Sequence, residues 1–161
     1  MSDFYPVSAD RANEAYAAAL QRCQEYQFAA SARRAIAAAF DGAFCTKALE
    51  PRFAALFPVD HVHYYTSSYS GDKFLIVRRT TAAGARIETE IRLCRKGEKR
   101  ISAAALIAAA EDNENRLIKL QTALDSFYDN IGQYNTLCQC VRAARDRVSD
   151  VMYCLDRPGS F

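Results

Sequence analysis

The sequence predicts an α+β protein with N-terminal helices, a central three-stranded antiparallel β-meander, and a long C-terminal heptad-patterned helix or helical hairpin. Three observations carry that prediction. Alanine fills 29 of 161 positions while Gly and Pro number only six and four, a balance that favours helix. Residues 86–93 alternate apolar and charged side chains, the period of a half-buried strand. From Leu106 to Leu155 apolar residues recur in steps of four and three, a heptad pattern. The length suits a single domain over 1–161, divided into a helical part (8–57), a meander (61–95) and a C-terminal helical part (102–156).

The first helical run opens at Ser8, a good N-cap, with Asp10 and Glu14 near its positive end. Tyr16, Leu20, Cys23 and Gln27, then Ile36, Phe40 and Phe44, form its expected stripe, and Gly42 supplies the stop. The pattern leaves open whether this is one helix or two broken near residues 28–31. A short helix is expected over 50–57, with Pro51 in its first turn and Pro58 ending it. The small residues at 17–19, 29–30, 35–39, 103–105 and 108–110 let helices approach closely. Arg outnumbering Lys by 16 to 5 points equally to coding bias from a GC-rich genome.

In the middle, HVHYYTSSY is followed by a turn at Ser70-Gly71-Asp72, then KFLIVRRT, a turn at Ala83-Gly84, and ARIETEIRLCR. The short turns imply antiparallel neighbours. On the third strand Ile87, Thr89, Ile91 and Leu93 share one face, and Arg86, Glu88, Glu90 and Arg92 the other.

The heptad seam includes Leu106, Ala110, Leu117, Leu120, Leu124, Phe127, Ile131, Tyr134, Cys138, Val141, Val148, Met152 and Leu155, interrupted by Asn113 and Arg145. A continuous helix of ~50 residues would be ~75 Å long, more than a small domain covers without a partner chain. A break near Asp129-Asn130-Ile131-Gly132 would instead give a helical hairpin. Apolar Leu137, Ala144 and Val151 widen the stripe and favour the hairpin. Asn113 and Arg145 have two explanations: polar seam residues fix register or oligomeric state, or they lie where they reach water.

Net charge is +2, but it is unevenly distributed: residues 1–72 carry −2, residues 73–100 carry +6, and residues 101–161 carry −2. The candidate binding residues are therefore Arg78, Arg79, Arg86, Arg92, Arg95, Lys96, Lys99 and Arg100, with the neighbouring aromatics Tyr64, Tyr65 and Tyr69. A basic sheet with aromatics suits phosphates or an acidic protein surface, whereas Arg alternating with Glu suits cross-strand pairing on a solvated face.

Assembled chemistry is sparse. His61 and His63 would share a strand face and are weak metal candidates, since a catalytic zinc takes a third protein ligand. Cys138 and Cys140 would point about 200° apart on a helix. Ser67, Ser68 and Ser70 lie near the histidines, but nothing marks an oxyanion hole or an orienting carboxylate. No cofactor is expected. The six cysteines, without a secretory leader, are expected to be free thiols in a cytoplasmic protein. No stretch is long and apolar enough to cross a membrane.

The expected function is a small non-enzymatic protein-interaction module, an inhibitor or adaptor of the kind encoded by phages and mobile elements against host systems. It would dock a larger protein through its basic sheet or helical face, with homodimerisation through the C-terminal helices open. The alternatives are a nucleic-acid-binding accessory protein using the Arg-rich 73–100 region, and an enzyme centred on His61 and His63.

Overall fold

A computed structural model of the protein describes residues 8–137 and 151–152. Helix α1 spans Ala9–Phe40 and α2 spans Leu49–Leu56. Strands β1 (His61–Thr66), β2 (Lys73–Thr80) and β3 (Arg86–Cys94) follow, and then α3 (Ala103–Leu137). The sheet is an antiparallel meander in the order β1-β2-β3. The chain divides into two compact units, one of Gln24–Glu114 and one of Met1–Cys23 with Asn115–Phe161.

In the Gln24–Glu114 unit the sheet's inner face packs on helix. Leu75, Val77, Ile87, Ile91 and Leu93 join Phe28, Ala32, Ile36 and Phe40 of α1, Leu49 and Phe53 of α2, and Ile101 and Leu106 in one buried core. The alternation of β3 holds: Ile87, Ile91 and Leu93 are buried, and Arg86, Glu88, Glu90 and Arg92 are exposed. The short helix falls at Leu49–Leu56, as its two prolines predict.

The tie between the two ends of this unit was not visible beforehand. Residues 42–45 run beside 99–101, where Gly42 N–H donates to Ile101 O at 2.9 Å, Cys45 N–H to Lys99 O at 3.0 Å, and Ile101 N–H to Ala43 O at 2.8 Å. Gly42 permits this turn by adopting φ +74°, where a side chain would be strained. Asp41 Oδ1 also accepts from Ala103 N–H at 3.0 Å, capping α3 beside Ser102.

In the other unit, the first part of α1 buries Ala12, Ala15, Ala19 and Cys23, and Leu120, Leu124, Phe127 and Met152 are buried as well. The expected stripe is displaced here at Leu20, which is 41% exposed while Ala19 is fully buried, but its members Cys23, Ile36 and Phe40 are buried as expected. Here the inward face is the alanine one, consistent with close helix approach on small side chains.

Three further expectations change or resolve. Helix α1 is unbroken through residues 28–31, where Phe28, Ala29 and Ala30 are all buried. Helix α3 is also unbroken through Asp129–Gly132, so the favoured hairpin break is not there. One glycine inside a helix costs only about 1 kcal/mol, which the surrounding helical turns offset. Finally, Cys45 and Cys94 form a disulfide with Cα atoms 6.7 Å apart. Two of the expected free thiols are thus paired, while Cys23 is a buried free thiol. No described helix is long and apolar enough to cross a membrane.

Cys138, Cys140, Val141, Arg145, Val148, Cys154 and Leu155 lie outside the described residues. Ile131 and Tyr134 lie on α3, but their side chains fall outside the described part.

Candidate functional site

The sheet has a second face, turned away from the core. Strand register sets its rows: His61 beside Arg78 beside Glu88, His63 beside Ile76 beside Glu90, and Tyr65 beside Phe74 beside Arg92. None of these residues belongs to the buried core. Tyr65, Phe74 and Ile76 are half-buried, and both histidines are exposed.

The rings on this face form a ladder. The centroids of His61 and His63 are 6.3 Å apart, those of His63 and Tyr65 6.1 Å, and those of Tyr65 and Phe74 5.3 Å, with interplanar angles of 17°, 9° and 18°. The first two steps follow from strand geometry, since alternate residues of β1 point the same way. The third is a cross-strand pair, the unit by which sheets gain side-chain stability.

Charges on the face are matched in place. Arg78 donates from Nε and Nη2 to Glu88 Oε2 at 3.0 and 2.8 Å. Arg92 Nη1 lies 3.7 Å from Asp72 Oδ2. The Tyr65 hydroxyl donates to Glu90, and that bond pushes its pKa up to about 12, because ionisation would set a phenolate against a carboxylate. The pair contributes stability below about pH 10, where an unfolded tyrosine begins to ionise, and that contribution is lost as pH rises through about 12. In an alkaline absorbance titration one tyrosine should therefore ionise about two units late, and Tyr65→Phe should remove that late phase. A wild-type curve with no late phase would refute the pairing.

Tyr64 belongs to the other face, contrary to its grouping with Tyr65 and Tyr69. Its hydroxyl donates to Cys45 O at 3.0 Å, and its backbone N–H donates to Glu50 Oε1 at 2.6 Å. Tyr64 is thus a structural link from β1 to α2 and to the segment after α1. Glu50 went unnoticed in the sequence; its one signal is a carboxylate in the first turn of a helix just before a strand. It also lies 3.8 Å from His63 Nδ1.

The remaining candidates are scattered. Arg79 sits 5.8 Å from the Phe28 ring, and with Gln24, Gln27 and Ser31 it lines a cleft of about 340 Å³. Arg79 and Arg86 act on Asp60, whose carboxyl is held below its ordinary range first by a hydrogen bond with the Thr80 side chain and next by accepting the Thr80 N–H at 2.7 Å. Arg100 donates to Gly42 O at 2.9 Å and stacks 4.2 Å from the Phe44 ring centroid. Lys96 N–H donates to Asp72 Oδ1 at 2.8 Å. Arg95 and Lys99 are exposed on the segment between β3 and α3.

The positive excess of residues 73–100 is therefore not one basic sheet face. Within the nine outward residues of the three rows, two arginines meet two glutamates. The surplus lies at the sheet's ends, half of it on residues 95–100 and the other half on Lys73, Arg79 and Arg86.

The hydroxyls considered for nucleophilic roles have structural partners. Ser67 Oγ accepts from Tyr69 and Ser70 N–H, both at 3.2 Å, and Ser70 Oγ accepts from Asp72 N–H at 3.2 Å. Among the described residues no group of three or more His, Cys, Asp or Glu side chains is placed to hold a metal ion. Comparison with protein-family models, curated proteins and solved structures finds no match to this chain, so its functional reading rests on its own residues.

Proposed function

We propose that the protein is a non-enzymatic interaction module, an inhibitor or adaptor in type, that docks a larger protein through the outer face of its sheet. One observation carries the proposal. Tyr65, Phe74 and Ile76 form a half-exposed apolar strip outside the core, bordered by charges already matched to one another. Interface centres are enriched in aromatic residues and depleted in unpaired charge, and the polar groups gather at the rim. A small body presenting one such face is also the build expected of a phage or mobile-element inhibitor.

The test is capture from a lysate of the source organism with wild-type protein and with Ile76→Glu. Ile76 is half-exposed, so the variant keeps the core intact while placing a charge at the centre of the strip. A partner held by wild type and weakened about 30-fold or more by Ile76→Glu supports the proposal. Capture unaffected by both Ile76→Glu and Phe74→Ala sinks it.

A cytoplasmic setting belongs to the same proposal, and it has its own readout. Thiols stay reduced in cytosol, so the state of the Cys45–Cys94 pair is the readout: alkylation of both sulfurs in cells blocked before lysis supports this setting. A bond preserved through that treatment would place the chain in an oxidising compartment instead.

Homodimerisation is a separate proposal. Leu120, Leu124 and Phe127 are buried within one chain, which argues against their use between chains.

A further inference from the structure

Half of the positive surplus displaced from the sheet face lies on residues 95–100, at one end of the Gln24–Glu114 unit and outside the strip of Tyr65, Phe74 and Ile76. Three segments converge there. Loop 67–72 meets the turn after β3 where Lys96 N–H donates to Asp72, and the Lys96 side chain lies over Gly71, so that a Cβ on that glycine would sit 3.0 Å from Lys96 Cδ. The same turn leads into the 99–101 stretch that pairs with 42–45, and the Cys45–Cys94 bond fastens the two together.

The resulting rim carries Arg95, Lys96, Lys99 and Arg100, against one carboxylate, Glu98, within the same six residues. Lys47 adds a further exposed cation close to Cys45. The nearby Asp41 and Asp72 are engaged with backbone N–H groups, Asp72 facing Arg92 as well.

Two rings stand out from this rim into solvent. Tyr69 is 99% exposed, and Phe44 is 54% exposed with the Arg100 guanidinium stacked on one face. Neither belongs to the buried core.

We infer that this rim binds single-stranded nucleic acid, with the cations on phosphates and Tyr69 and Phe44 stacking on bases. Cations alone would fit any polyanion. The two solvent-facing rings favour a strand with open base faces, because stacking is sequence-tolerant and the faces are hidden in a duplex.

The probe is a fluorescein-labelled 20-nucleotide single strand of mixed sequence, read by anisotropy between 25 and 200 mM salt. About three to four phosphate contacts predict a log–log salt slope of about −2 to −3. Lys96→Glu with Lys99→Glu should weaken binding more than about tenfold at low salt. Tyr69→Ala should weaken it by about fivefold or more, the loss of one stacked base. Ile76→Glu, on the other surface, should leave it unchanged, so failure here and failure of the sheet-face proposal are distinguishable.

Absence of binding at 25 mM salt would overturn the inference, as would equal or tighter binding of the matching duplex. Displacement by poly-glutamate as efficient as by unlabelled strand would overturn it in favour of an acidic protein partner.

Discussion

Reduction of the Cys45–Cys94 bond lowers the melting temperature by on the order of 10 °C. The bond joins residues 49 apart in sequence. In the chain-entropy account, closing a loop of that length in the unfolded state is worth about 4 kcal/mol, and native disulfides typically deliver 2–4 kcal/mol. Each kcal/mol shifts the melting temperature by roughly 4 °C in a body of this size. Folded-state chemistry adds little to the loss. Both sulfurs are buried, and two buried thiols behave as small apolar groups that leave no strong donor or charge unpaired.

The measurement is a circular-dichroism melt with and without a phosphine reductant, repeated on Cys45→Ala with Cys94→Ala. The reduced wild type and the double variant should melt within a few degrees of each other. An unchanged melting temperature, with reduction verified by mass, would show that the backbone pairing of 42–45 with 99–101 holds this junction by itself.

That junction also shows where reading the sequence stops. The register of β3 was legible because its period of two is a local property, read from eight consecutive residues. The limits of α2 were legible because Pro51 and Pro58 bound it. The junction has no such local signature. It arises only when the end of α1 and the end of β3 meet, and a separation of 49 residues carries no periodicity. The charge count was ambiguous for the same reason, and of the two readings it allowed the structure favours cross-strand pairing. A count along the chain adds Arg78 and Arg92 to the surplus, but the meander brings Glu88 and Asp72 beside them from 10 and 20 residues away. Tyr64 and Tyr65 show the opposite case. Strand alternation alone places them on opposite faces, and grouping them by type discarded that information. In the first turns of α1 the expected stripe followed large side chains, whereas the buried one follows Ala12, Ala15 and Ala19; farther along, Ile36 and Phe40 are buried as expected. Propensity and periodicity do not tell an alanine face that packs closely from one that merely favours helix.

Asn113→Leu lowers stability, although the heptad pattern predicts the reverse. Asn113 lies in the seam where leucine would ordinarily be the stabilising choice. In the structure its Oδ1 accepts from Arg33 Nη1 of α1 at 2.8 Å, and Arg33 Nη2 donates to Glu90 O at 3.2 Å. Burial pulls the Arg33 pKa down, opposed by the charge of Asp112, but a guanidinium keeps its proton throughout the working range. Leucine at 113 therefore leaves a half-buried cation with one acceptor removed, at a cost of about 1–3 kcal/mol. The neighbouring pair, Arg34 Nε to Glu114 Oε1 at 2.5 Å, is exposed and cannot take over that role. A melt of Asn113→Leu should fall by several degrees, with the molar mass in light scattering unchanged, because Asn113's partner lies in the same chain. Arg33→Leu combined with Asn113→Leu should recover most of the loss, since an apolar pair replaces a polar one without stranding a charge. A higher melting temperature for Asn113→Leu alone would mean that leucine packing outweighs the hydrogen bond. A changed mass would mean that Asn113 sets oligomeric state rather than the register of α3 on α1.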